Sequence, residues 1–188
     1  MKIGTKSLLF GVHQFALHPA FVLVAWLIVY RSWPKLYQLC AIIVHDWGYW
    51  GCENMDGPEG EEHPNRCILF LCRKLPQSPF RMNMFTEVMG HSRFAASNYG
   101  VGLSDLFRAD KMATALYPRW LYLLLGNLTG EIKEYMYHGT VKGGGKYNDI
   151  EKAAKTQTQW LIETQAHLAL MGLHGEGYGP VADQMKVK

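Results

Sequence analysis

Apolar residues in this chain recur at helical rather than strand spacing almost throughout, and that periodicity constrains the fold more than any other feature. Val22, Ala25, Trp26 and Val29 mark one face of a helix that opens at His18-Pro19, where a proline in the first turn costs little. That helix is expected to stop near Ser32-Trp33-Pro34, and Leu36, Leu39, Cys40, Ile43 and Val44 outline the next, over 34–45. Further helices are expected over 6–14, 64–73, 79–99, 103–116, 118–137 and 150–171, the last capped by Asn148 or Asp149. Alternating strand patterns are scarce, and no repeat or low-complexity segment interrupts the chain. The expectation is an all-α bundle in one domain, residues 1–175, followed by a flexible tail over 176–188.

A chain of 188 residues can bury one continuous core. Its formal net charge of +3 is too small for a nucleic-acid coat or a polybasic membrane anchor, so neither partner is expected. The apolar run over 15–30 is about 16 residues, short of the roughly 20 that a spanning helix needs. His13, Gln14 and His18 interrupt its start and no small-residue cleavage site follows it, so it reads as a core helix and not a signal peptide. Cys40, Cys52, Cys67 and Cys72 form no CxxC pair, which fits reduced thiols in a cytoplasmic protein.

Two segments differ in character. Gly48, Gly51, Gly57, Pro58 and Gly60 argue against regular helix over 48–62, where Glu53, Asp56, Glu59, Glu61 and Glu62 also gather. A loop of this kind on a rigid scaffold is a candidate active-site rim, although most of its carboxylates read as solvated charge. Gly143-Gly144-Gly145-Lys146 lacks the GxxxxGK[ST] spacing of a phosphate loop and reads as a linker.

The chemistry lies in a series of histidines and aspartates at or near helix ends: His18, His45-Asp46, His63, His91 and Asp110. Neutral imidazole and carboxylate are the common ligands for divalent transition metals. Consecutive side chains leave a helix about 100° apart, so a His-Asp pair at a terminus can lean toward one ion. A carboxylate can also give one oxygen to each of two ions. Each residue alone is weak evidence, since a lone histidine on an apolar helix is more often a hydrogen-bonded core residue.

The words around these residues resemble the HD superfamily. Ile42-Ile43-Val44-His45-Asp46-Trp47-Gly48 is similar to its apolar run, HD dyad and glycine, and Ala109-Asp110-Lys111-Met112 to its final helix motif. His18 with Val22 and Ala25 is similar to the first ligand helix, although His13 competes for that place. Glu62-His63-Pro64 and Gly90-His91-Ser92-Arg93 resemble segments of the two-metal branch; the likeness covers about residues 13–115. The resemblance implies an HD-type helical bundle with one or two divalent ions (manganese, cobalt, zinc, iron or magnesium) in its core. They would be held by His18, His45, Asp46, His63, His91 and Asp110. It departs from the family in the aromatic Trp47, Tyr49 and Trp50 after the dyad and in lacking the HD-GYP signature.

The implied activity is hydrolysis of a phosphate ester or anhydride, with a nucleotide as the expected substrate and metal-activated water as nucleophile. Besides the His45-Asp46 dyad, Lys111 and Arg93 are the candidate phosphate contacts, alternatively structural partners of carboxylates such as Glu131. Arg66, Arg81 and Arg108 are weaker candidates for the same role, with surface charge the plainer reading. Glu62 or Asp56 is the candidate general acid. Trp47, Tyr49, Trp50 and Tyr99 suit stacking on a nucleobase, with core packing the plainer reading. The same ligand order also resembles di-iron oxygenases of the myo-inositol oxygenase type, and a non-catalytic nucleotide-binding module is a third alternative. A homo-oligomer fits the resemblance, but no residue fixes its symmetry.

Overall fold

The computed structural model describes residues 3–55, 57–142 and 156–175, and every regular element among them is helical. In chain order these are α1 (Ile3–Phe10), α2 (Leu17–Tyr30), α3 (Leu36–Val44), a 3-10 turn (His45–Tyr49), α4 (Pro58–Glu61), α5 (His63–Cys72) and α6 (Pro79–Gly90). They continue as α7 (Arg93–Asn98), α8 (Asp105–Leu116), α9 (Arg119–Thr129), α10 (Glu131–Lys142) and α11 (Gln157–His174). The all-α expectation holds, as one compact body around a buried core.

Helix α2 buries His18, Val22, Ala25 and Trp26, a stripe spaced by four, three and one residues that lies against α8. It ends at Arg31, whose left-handed backbone (φ 52°) returns its N–H to the carbonyl of Leu27. Helix α8 in turn buries Leu106, Phe107, Ala109, Asp110, Met112 and Ala113 between α2 and α11. The alanines and Gly172 of α11 allow close approach there: a Cβ on Gly172 would press on Met112 and the carbonyl of Arg108. The main core joins α2, α3, α5, α6 and α8, and a second cluster of Val12, Tyr117, Tyr122, Ile132 and Leu161 joins the other end. No helix among the described residues is long and apolar enough to cross a membrane.

Several boundaries differ from expectation, each for a local reason. The helix expected over 79–99 is two, because Ser92 leaves the helical region and its side chain caps α7 by accepting the N–H of Ala95. The helix expected over 118–137 breaks at Gly130, which adopts φ 88°. The first helix starts and ends earlier than 6–14, which leaves His13 in a loop. The last begins at Gln157 behind a capping box of Thr156 and Gln159, and it continues past Gly172 to His174. The linker residues 143–147, the expected caps Asn148 and Asp149, and the tail 176–188 lie outside the described residues.

Candidate metal centre

The six histidines and aspartates singled out from the sequence come together in one buried cluster. Each arrives from a different structural necessity. His18 sits in the first turn of α2 and meets Asp110 of α8 where those two helices pack together. His45 and Asp46 begin the 3-10 turn where α3 tightens, which swings both side chains inward. His63 opens α5 with Pro64 behind it, and His91 caps the end of α6. A Cβ on Gly48 would overlap the carbonyl oxygen of His63, so that glycine lets the 3-10 turn and α5 touch backbone to backbone.

Asp46 lies between two groups of imidazoles. Its Oδ2 is 3.5 Å from Nε2 of both His18 and His45, and its Oδ1 is 3.7 Å from Nε2 of His63 and 3.8 Å from that of His91. Asp110 closes the first group, with Oδ1 3.1 Å from His18 Nε2 and 3.7 Å from His45 Nε2. The His45, His63 and His91 rings are turned the same way. Nδ1 of each donates to the carbonyl three residues earlier, that of Ile42, Gly60 and Val88 respectively. Those bonds fix the tautomer and leave Nε2 of each ring as a lone pair aimed into the cluster.

Two consequences test whether a cation fits. His63 and His91 face each other Nε2 to Nε2 at 2.9 Å, an arrangement of two acceptors that needs a proton or a cation between or beside them. Two nitrogens that bind one ion at about 2.0–2.1 Å lie about 3 Å apart, so the spacing suits a shared ion. His45 Nε2 is buried with no hydrogen-bond partner. An orphaned acceptor of this kind costs about 1–3 kcal/mol unless something occupies it. The donor set, imidazole and carboxylate together, is what borderline divalent ions take.

The electrostatics favour a cation at four of these groups and oppose it at His45. Burial works against ionising Asp46, but the charge of His45 and the hydrogen bond from His13 overcome it and hold the carboxyl well below 3.8. Burial also opposes ionising Asp110, yet Lys111 and the His18 bond hold it well below 3.8 too. Burial lowers His18, and burial with the neighbouring charge of His91 takes His63 well below 6.5. His45 moves the other way: burial disfavours its charge, but the carboxylates of Asp46 and Asp110 outweigh that. Ionised carboxylates beside neutral His18 and His63 are protonation states that metal binding requires, whereas His45 would have to give up a proton to an incoming ion.

The remaining candidates divide. Lys111 reaches the cluster, its Nζ 2.8 Å from Asp110 Oδ2 and 5.5 Å from the centre of the Phe107 ring. Arg93 is exposed on the first residue of α7. Glu62 is half-buried beside His63 and accepts from the Tyr99 hydroxyl at 2.7 Å and from Asn65. Asp56 lies outside the described residues. Arg66 is drawn to Glu59 and the carbonyl of Trp50, Arg81 to the carbonyl of Leu75, and Arg108 to the last carbonyls of α11. Glu131 takes neither Lys111 nor Arg93. It is fully buried and accepts from Ser7, Thr129, Tyr135 and the N–H of Val12.

Of the aromatics, Tyr49 stacks on His63 with ring centres 3.9 Å apart. Trp47, Trp50 and Tyr99 are substantially exposed, not core. Both tryptophans line a largely apolar cavity of about 530 Å³ with Leu8, Phe15, Gly48, Phe70 and the charged Arg66, and none of the six cluster residues lines it. His13, weighed in the sequence only as a rival to His18, is at the site as well: its Nδ1 is 3.0 Å from Asp46 Oδ2, and His13, His18 and Asp46 lie close enough together to share an ion. Its five-residue separation from His18 was the one available signal, because both residues flank the same helix start.

No known family, curated protein or solved structure matches the chain. What the fold establishes is a helical protein with a cluster of buried His and Asp side chains that can hold a metal, compatible with an HD-type site.

Proposed function

We propose that the chain is a metal-dependent hydrolase of the HD type that cleaves a phosphate ester or anhydride, with nucleotides as the first substrates to test. The observation that carries this reading is Asp46, whose two oxygens face two separate groups of imidazoles. His18, His45, Asp46 and Asp110 would hold one ion, and His63 and His91 with the other oxygen of Asp46 a second. Bound divalent ions supply a Lewis acid for a phosphoryl oxygen and bring the pKa of water toward about 7.

The chain's own groups have definable parts in that reading. The main-chain carbonyls of Ile42, Gly60 and Val88 hold three rings in orientation before any ligand arrives, which lowers the reorganisation needed on binding. Lys111 gives one ammonium hydrogen to Asp110 and keeps the others for an anionic substrate oxygen. Tyr49 stacks on His63 and limits water on that side. A nucleobase would find flat partners in Trp47 and Trp50.

A second reading rests on the same geometry: two histidine groups about one carboxylate also suit a di-iron oxygenase. One experiment separates them. The protein is purified without chelators, its metals are counted by elemental analysis, and the count is repeated on His45→Ala and Asp46→Ala. The wild type is assayed on a nucleotide panel with manganese, cobalt, zinc or iron. Metal bound by the wild type and lost from both variants, with phosphate released by the wild type, supports the hydrolase. Two irons, oxygen consumption and no phosphate release would replace it with the oxygenase. A chain that takes up no metal would end both readings.

A further inference from the structure

His13 stands outside the six-residue set and is the one cluster histidine with a side chain about a quarter exposed, at 24%. It lies in the loop between α1 and α2, yet the loop is held firmly. The N–H of Val12 donates to Glu131 Oε2 at 3.2 Å, and the carbonyl of Val12 accepts from the Tyr117 hydroxyl at 2.9 Å. Gly11 is pressed against the same carboxylate, where a Cβ would overlap Glu131 Oε2. Glu131 is fixed by Ser7 of α1 and by Thr129 and Tyr135 around the α9–α10 junction. Three elements therefore converge to set the position of one partly buried imidazole.

That imidazole meets the cluster through Nδ1, the opposite nitrogen from those of His18, His45, His63 and His91. Its contact is Asp46 Oδ2, the oxygen that also faces His18 and His45. A carboxylate oxygen has two lone pairs, so Oδ2 can accept from His13 and still serve an ion with the other. Partners of this kind orient ligating carboxylates, and their loss typically lowers metal affinity about 10–100-fold.

We propose that His13 is a positioning residue of the metal centre: its Nδ1–H, held in place by the Glu131 clamp, fixes Asp46 so that one oxygen faces each half of the site. The inference rests on the metal-binding reading above and adds to it a residue that is not itself a ligand. His13 controls ligand geometry through a single donated hydrogen bond, so an asparagine, whose amide nitrogen occupies nearly the same place as Nδ1, can replace it. Glutamine, whose amide corresponds to Nε2, cannot.

The test is metal affinity, measured on the full chain by competition between the protein and a coloured chelator for cobalt(II) or zinc(II), with the visible cobalt(II) spectrum as a second readout. His13→Ala is expected to bind about 10–100-fold more weakly with an altered cobalt spectrum, while the metal-free protein keeps its unfolding midpoint. His13→Asn is expected to recover most of the affinity and the spectrum, and His13→Gln is not. If His13→Ala binds like the wild type, His13 does not position Asp46. If Asn fails to rescue the Ala defect, His13 is a ligand and not a positioning residue, and the proposal is likewise overturned. A wild type that binds neither ion brings down the metal-binding reading itself, which the wild-type arm shows before any variant is compared.

Discussion

His63 and His91 present Nε2 to Nε2 across 2.9 Å while the Nδ1 of each is committed to a main-chain carbonyl. Neither ring can rotate to relieve the contact without breaking a buried hydrogen bond, so the two lone pairs are held together by the fold. His18 and Asp110 form the corresponding pair on the other side of Asp46, at 3.1 Å. The two pairs come from different helices, α5 and α6 against α2 and α8, with the 3-10 turn between them.

On the two-ion reading proposed above, this arrangement predicts that the halves of the site can be emptied separately. His91→Ala should lose the ion on the α5–α6 side and keep the other, giving about half the wild-type metal content. Asp110→Ala should do the reverse. Asp46→Ala should lose both, because its oxygens serve both halves. Elemental analysis of the three variants reads the result directly, and equal loss in all three would mean that the cluster holds a single ion.

His18 and His63 stand out in the sequence because a proline follows each at a helix start, a marker that survives without tertiary information. Asp110 instead lies in the middle of α8 with no such marker, and His91 falls inside a helix expected to run over 79–99. The helical class is legible from the spacing of the apolar residues. What the sequence did not reveal was set by packing. Core packing is the plainer reading of Trp47 and Trp50 from the sequence, yet both are exposed and line an open cavity beside the 3-10 turn. The break at Ser92 was hidden because residues on both sides favour helix, so a single cap outweighs propensity. Glu131 read as a partner for a cation, but its four donors are hydroxyls and an N–H drawn from four places in the chain.

Thiol accessibility offers a check on the fold that is independent of any activity. All four cysteines are free: Cys72 is exposed, Cys40 half-buried, and Cys52 and Cys67 buried. Burial and the charge of Asp46 push the Cys67 thiol up to about 12, so little reactive thiolate exists at neutral pH. A chromogenic disulfide reagent should therefore titrate Cys72 quickly, Cys40 more slowly, and the other two only after denaturation. Four thiols reacting at one rate in the native protein would contradict the core described here.

Glu87 gives a pH signature. Burial, with the charge of Asp105, raises its pKa above 4.5 despite hydrogen bonds from Gln38 and the N–H of Leu106. The folded state thus holds this proton more tightly than the unfolded chain does. The resulting stabilisation is fully present below about pH 4.5 and is lost as the pH rises through the higher folded value. Glu87→Gln removes the titration, so the difference in urea midpoint between wild type and variant should shift against the wild type as the pH rises from about 4.5 toward neutral. A difference that stays flat across that range would mean that Glu87 titrates alike in both states.

Gly48 gives the sharpest test of how the 3-10 turn positions the site. The residue follows Asp46 by two places and packs on the carbonyl of His63, where any Cβ would overlap backbone and not a side chain that could move aside. Gly48→Ala must therefore separate the turn from α5, and overpacking of a rigid contact costs about 1–3 kcal/mol. The same movement draws His45 and Asp46 away from His63, so metal content should fall along with the unfolding midpoint. Gly100 is the control. It has φ 64° and no atom near its would-be Cβ, so Gly100→Ala should strain only its own turn and leave the metal content unchanged. If Gly48→Ala lost stability but bound metal like the wild type, the close contact between the turn and α5 would be a packing feature with no part in assembling the centre.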